Sequence, residues 1–135
     1  MLIGKPRQLS KFNVTTVSVR GTLVPLSNVV RNLGAMFDNR MSMDCNVAAV
    51  CKASFYNLHR ISQIRKSLLV ETTEILVHAL VTSRLDYCNN LLYCISGVLL
   101  SKLQRVQNAA ARLILGSRKS DHITPDLVNL HKVHI

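Results

Sequence analysis

Polar and apolar residues alternate through residues 13–26, where NVTTVSV is followed by RG and then TLVPL. That period of two predicts a short β hairpin turning at Arg20 and Gly21, with Pro25 at an edge or ending its strand. The next run, VVRNLGAMFD, predicts a further strand with Leu33, Ala35 and Phe37 on one face. Gly34 inside it allows another backbone to approach closely.

From Ser42 the pattern changes to a helical one. Ser42 is a good N-cap, and Asp44 in the first turn complements the helix dipole. The helix should run to about Lys66 and bury Val47, Val50, Cys51, Phe55, Leu58 and Ile61, with Lys52, His59 and Arg60 towards the opposite side. Arg65 and Lys66 suit its C-terminus, and this structural role accounts for them.

A second helix is predicted from about Glu71 through ETTEILVHALVTSRL, with Glu71 and Glu74 at its positive end. Its middle is apolar nearly all round, which predicts burial between other helices and makes His78 a core histidine. Arg84 and Asp86 stand two residues apart and point in different directions, so they make no joint site; Asp86 suits a salt bridge or a cap on the next helix.

Gly97 punctuates the chain before a third helix, 99–114, which Gly116 ends. At about 100° per residue, Leu99, Leu103, Val106, Ala110, Leu113 and Ile114 gather on one side. Lys102, Arg105 and Arg112 share a stripe on the other, with Gln104 and Asn108 between them. One face is core and the other is wet and positive. Beyond it, SRKSDHITPDLVNLH predicts a basic loop, where Arg118, Lys119 and His122 could meet phosphate, and a short final helix with Thr124 as N-cap and Pro125 at N1.

Charge gives the stripe its meaning. Seventeen Lys and Arg against seven Asp and Glu leave a formal net charge of +10. Such a balance draws a protein to polyanions, although a merely soluble basic protein carries it as well. The cations occur one or two at a time, with no polybasic tail, which suits salt-sensitive contacts along a nucleic-acid backbone. A membrane surface fits less well, because no amphipathic helix joins a Lys-rich face to bulky aromatics. No apolar run approaches the roughly 18 residues needed to span a bilayer. The start, MLIGKPRQLSK, lacks the pattern of a secretory signal, so the expected setting is intracellular and reducing, with nucleus and cytoplasm both open.

The 135 residues, 48% hydrophobic and 18% charged, suit one folded domain or a piece of a larger one. Cys45, Cys51, Cys88 and Cys94 form two C-x5-C pairs, and structural zinc usually needs closer ligand pairs. No metal ligand is therefore assigned. There is no P-loop, G-x-S-x-G elbow, H-E-x-x-H or dinucleotide-binding glycine pattern. The acidic residues, Asp38, Asp44, Glu71, Glu74, Asp86, Asp121 and Asp126, include no adjacent pair, and each has a local explanation as cap, dipole partner or turn residue. No catalytic residue can be named.

Several phrases together resemble a known family. TSRLDYCNNLL, LQRVQNAAARLI and DHITPDLVNLH, in this order and at these separations, are similar to the region that follows the polymerase palm in reverse transcriptases of LINE-type, non-LTR retrotransposons. VRNLGAMFDNRMSM resembles the same family's primer grip, and LIGKPRQLSKFN resembles the end of its palm. The resemblance covers nearly the whole chain. It departs after Leu130-His131, where the family has an aromatic residue and this chain has Lys132.

The resemblance implies an RNA-directed DNA polymerase as parent, with two divalent metal ions, magnesium being the expected one, and palm and fingers domains that carry the catalytic aspartates. No residue here matches those aspartates, so the chain alone is expected to be inactive and to hold no cofactor. It further implies that Leu33, Gly34, Ala35 and Met36 lie against the primer's 3′ end through backbone contacts.

The expected fold is α+β and mainly α: an end of palm and primer-grip-like β element over 1–41, then a thumb-like bundle of four to five helices over 42–135. The expected function is to hold an RNA–DNA hybrid or primer–template duplex. From their helical faces, Lys102, Arg105 and Arg112 are the first candidates for backbone contacts, and Lys52 and Arg60 the second. The alternatives are a helical protein-interaction module with a merely solvated basic face, and a transposon relic without function.

Overall fold

A computed structural model describes residues 1–87 and 95–117. The chain is α+β and mainly helical, with a short helix and two small antiparallel hairpins ahead of the longer helices. It divides into two compact units, Met1–Ala48 and Ala49–Ile135.

In the first unit a short helix, α1 (Pro6–Leu9), precedes strands β1 (Thr16–Val19) and β2 (Thr22–Pro25). These pair in the register Val17 to Val24 and Val19 to Thr22. The turn is the expected Arg20-Gly21, with φ of 51° and 80°. Positive φ at both central residues marks the primed turn whose twist matches that of paired strands. Every residue of β1 and β2 is exposed.

The run expected as one strand is a second hairpin. Strands β3 (Val29–Asn32) and β4 (Ala35–Asp38) pair through Val30 to Phe37 and Asn32 to Ala35. Leu33 and Gly34 form the turn at φ 48° and 87°. Leu33 therefore leaves the face expected for it and stands 84% exposed, whereas Ala35 is buried.

Asp38 fastens the end of this hairpin. Its Oδ1 accepts from the backbone N–H of Arg40 (2.9 Å) and of Ser42 (3.1 Å). Its Oδ2 accepts from the Ser42 hydroxyl (2.9 Å) and the Met43 N–H (3.1 Å). Burial alone would raise the Asp38 pKa, but these donors outweigh it and hold the carboxyl below its ordinary value. They also hold Met41 and Met43 in the left-handed region, at φ 55° and 63°. Ser42 is thus tied to Asp38 more than it caps a helix: its Oγ is 3.4 Å from the Asp44 N–H, and the helix begins at Asp44 itself. The buried Asn46 accepts the Met36 N–H at 3.0 Å.

Helix α2 (Asp44–Ile64) passes into a 3-10 turn at Arg65–Ser67. Val47, Cys51, Leu58 and Ile61 are buried as expected, together with Ser54. Phe55 departs from expectation at 43% exposed. On the helical wheel it lies about 100° from Ser54 and 60° from Leu58, at the margin of the stripe that these small and aliphatic residues fill.

The second helical stretch is α3 (Val70–Val77), a π-helical segment (His78–Thr82) and α4 (Ser83–Asp86). Its buried residues, Thr73, Val77, Val81 and Leu85, recur every four positions. In a regular α-helix such a stripe drifts by about 40° at each step, and the wider π turn drifts the other way, keeping the four in line. Burial is therefore one-sided rather than all round. Ile75 is 68% exposed, and His78 is an exposed residue rather than a core one. Asn57 of α2 donates its side-chain amide to the Leu80 carbonyl in the π segment at 3.1 Å.

Helix α5 (Gly97–Leu115) packs against α3 and buries Leu99, Leu103, Val106, Ala110, Ala111 and Ile114. Ser96, not Asp86, caps its start by accepting from the Leu99 N–H, and Gly116 closes it at φ 67°. The final helix expected from Thr124, the loop cations Arg118, Lys119 and His122, and Cys88 and Cys94 lie outside the described residues.

Candidate nucleic-acid interface

The positive face of α5 follows from its sequence. The helix carries Lys102, Arg105 and Arg112 and no acidic residue. Burial of Leu99, Leu103, Val106 and Ala110 turns the opposite side outward. At about 1.5 Å per residue the three cations span roughly 15 Å of helix axis. That distance covers about four phosphates of one strand at their roughly 3.4 Å rise.

The structure divides the predicted cations into groups. Lys102 and Arg105 are exposed and Arg112 is half-buried. Arg105 and Arg112 share a groove of about 670 Å³ between α2 and α5, together with Phe55, Arg65, Asn108 and Ser117. Among the described residues no acidic side chain lines it. Lys102 is close enough to Cys51 for its charge to be felt: burial pushes the thiol pKa up, and the Lys102 ammonium pulls it partly back. The buried Cys51 thus stays a thiol and fills space.

Lys52 is exposed on α2, three residues from Phe55, but does not line the groove. Nor does Arg60. Its guanidinium lies over the Tyr56 ring, 5.8 Å from the centroid, on a different face of α2. That cation–π contact is worth about 0.5–1 kcal/mol at an exposed site and gives Arg60 a local role.

Arg65, which the sequence explains as the end of its own helix, does more. Its Nε donates to the Leu113 carbonyl (2.9 Å) and its Nη2 to the Ile114 carbonyl (2.8 Å), while Nη1 bonds the Leu68 carbonyl (3.1 Å). The guanidinium thereby satisfies carbonyls at the C-terminus of α5, where the helix carries about half a negative charge. A C-terminal cation in the sequence hints at such a cap, but not at which helix receives it.

The Arg112 Nε is buried and has no hydrogen-bond partner among the described residues. An orphaned buried donor costs about 1–3 kcal/mol, which an anion in the groove would recover. No protein-family model matches the chain, and neither a curated protein nor a solved structure does.

The primer-grip-like residues belong to the first unit. Leu33 and Gly34 form the β3–β4 turn, and Ala35 and Met36 open β4, where the Met36 N–H is taken by Asn46. Backbone contact with a strand end is therefore limited to the turn and to the groups that the hairpin and Asn46 leave over.

The two divalent ions of a polymerase do not fit the acidic residues described. Asp38 is committed to four hydrogen bonds, and no group of three or more acidic, His or Cys side chains gathers where an ion could sit among the described residues. Also among the described residues, no helix is long and apolar enough to cross a membrane.

Proposed function

We propose that this chain is a primer-grip and thumb portion of a polymerase of the LINE reverse-transcriptase type, and that it holds an RNA–DNA hybrid by its backbone. The observation that carries this reading is the sidedness of α5, which exposes Lys102 and Arg105 and sets Arg105 and Arg112 on a groove with no acidic lining among the described residues. The proposed chemistry is electrostatic holding alone, and bond making belongs to a palm that supplies paired carboxylates. The ordered likeness of three phrases to the segment after the palm, and of VRNLGAMFDNRMSM to the primer grip, supports the choice of family.

The test is binding of a labelled RNA–DNA hybrid at low salt to the wild-type chain and to the triple variant Lys102→Glu, Arg105→Glu, Arg112→Glu. Binding by the former and its loss in the latter is the expected result. Failure of the wild-type chain to bind refutes the reading.

A second reading, a helical protein-interaction module, is favoured by the exposure of Leu69 (74%), Ile75 (68%) and Val98 (69%). Under that reading hybrid binding is absent or indifferent to the three substitutions.

A further inference from the structure

Resting on the reading of a hybrid-holding face, we infer that the groove between α2 and α5 seats one unpaired nucleotide beside the duplex, with its phosphate on Arg105 and Arg112 and its base on Phe55. Four observations converge on that ligand.

First, the groove holds about 670 Å³, within the roughly 300–1,000 Å³ typical of sites for compact organic ligands, whereas a duplex backbone needs only an open surface. Second, it holds an aromatic ring that the core leaves 43% exposed, and every nucleobase has a face that stacks on such a ring. A paired base inside a duplex has both faces covered by its neighbours, so Phe55 suits a base that stands outside the stack. Third, the Arg112 Nε–H is buried without a partner among the described residues, and a phosphate oxygen is an acceptor of the required kind. Fourth, the groove lies by the C-terminus of α5, whose partial negative charge would repel an anion, and Arg65 bonds the Leu113 and Ile114 carbonyls there. Arg65 is thus a positioning residue, because three of its five N–H donors are already spent on carbonyls.

Asn108 adds a polar edge to the same lining. Its side-chain oxygen accepts from Gln104 at 3.0 Å, which fixes the amide orientation and leaves the nitrogen as the donor end.

The experiment compares two RNA–DNA hybrids of equal length, one blunt and one with a short single-stranded overhang containing 2-aminopurine, on the full chain. Wild-type protein should prefer the overhang by about five-fold or more and quench the 2-aminopurine fluorescence, as base–aromatic stacking does. Phe55→Leu, which keeps apolar bulk, should erase both the preference and the quenching while binding the blunt hybrid as before. Arg112→Gln should weaken the overhang preference without removing it. A circular dichroism spectrum and melting curve matched to wild type qualify each variant, and the quenching reports the contact independently of affinity.

Equal binding of both hybrids by the wild type, without quenching, overturns the inference and leaves the hybrid-holding face standing. Phe55-dependent binding of the overhang with none of the blunt hybrid does the reverse. Binding of neither overturns both.

Discussion

The Arg65 guanidinium donates to the Ile114 carbonyl at 2.8 Å, so the end of α2 caps the end of α5. With the bonds to Leu113 and Leu68 it forms a three-point fork that Lys cannot reproduce. Arg65→Met should cost about 1.5–3 kcal/mol, the range for hydrogen bonds made by charged groups. Arg65→Lys should recover part of that loss. Urea denaturation of the three proteins measures both, and equal midpoints would show that the fork contributes nothing.

Ser54 is fully buried in α2, and its hydroxyl finds no hydrogen-bond partner among the described residues. Ser54→Ala removes that orphan and raises helix propensity, so the melting temperature should rise, with a gain of about 1 kcal/mol. Ser54→Leu should lower it, because a packed site has no room for the added volume. A destabilised Ser54→Ala protein would mean that the hydroxyl has a partner after all.

The Asp38 carboxyl is held below its ordinary value of 3.8 by its backbone and Ser42 donors. A lowered folded pKa stabilises the native state above the unfolded value, and the contribution fades as pH falls through 3.8 towards the folded pKa. Asp38→Asn should weaken the first unit at neutral pH and flatten this acid limb. Hydrogen exchange at the Met43 and Ser42 amides, followed from neutral to acid pH, tests the sign: protection that grows on acidification would contradict it.

Leu33 sits at φ 48° in the β3–β4 turn, a conformation that costs a side-chain-bearing residue roughly 1–2 kcal/mol. Asn tolerates it better, and Asn-Gly is the favoured pair for a primed turn. Leu33→Asn should therefore slow hydrogen exchange across the β3–β4 ladder by about five-fold, equivalent to about 1 kcal/mol. Unchanged exchange would mean that the turn carries no such strain.

The legible parts of the fold were those set by local pattern. The Arg20-Gly21 turn followed from alternation on both sides of a glycine, and the buried face of α5 from its apolar period. The same turn pattern recurs at Leu33-Gly34, but a bulky leucine before the glycine disguised it as one strand. The π segment at 78–82 escaped because no residue type marks it; only the four-residue spacing of Thr73, Val77, Val81 and Leu85 hints at a stripe without α-helical drift.

In the candidate site, the exposure of Lys102 and Arg105 was legible from the wheel, whereas Arg112, placed on the same wet face, is half-buried. The parts contributed by Phe55 and Arg65 were not legible, because they depend on which helix lies beside which. That is a tertiary fact, and sequence periodicity carries no record of it.

The most direct test of the hybrid-holding face is the salt dependence of hybrid affinity, measured for the wild-type chain and for the neutral variant Lys102→Gln, Arg105→Gln, Arg112→Gln. If the three cations each meet a phosphate, a plot of log affinity against log salt should become shallower by about 2.7, at about 0.9 for each phosphate no longer neutralised. The same slope in both proteins, or no hybrid binding by the wild type at low salt, would contradict a role for these cations in holding the duplex.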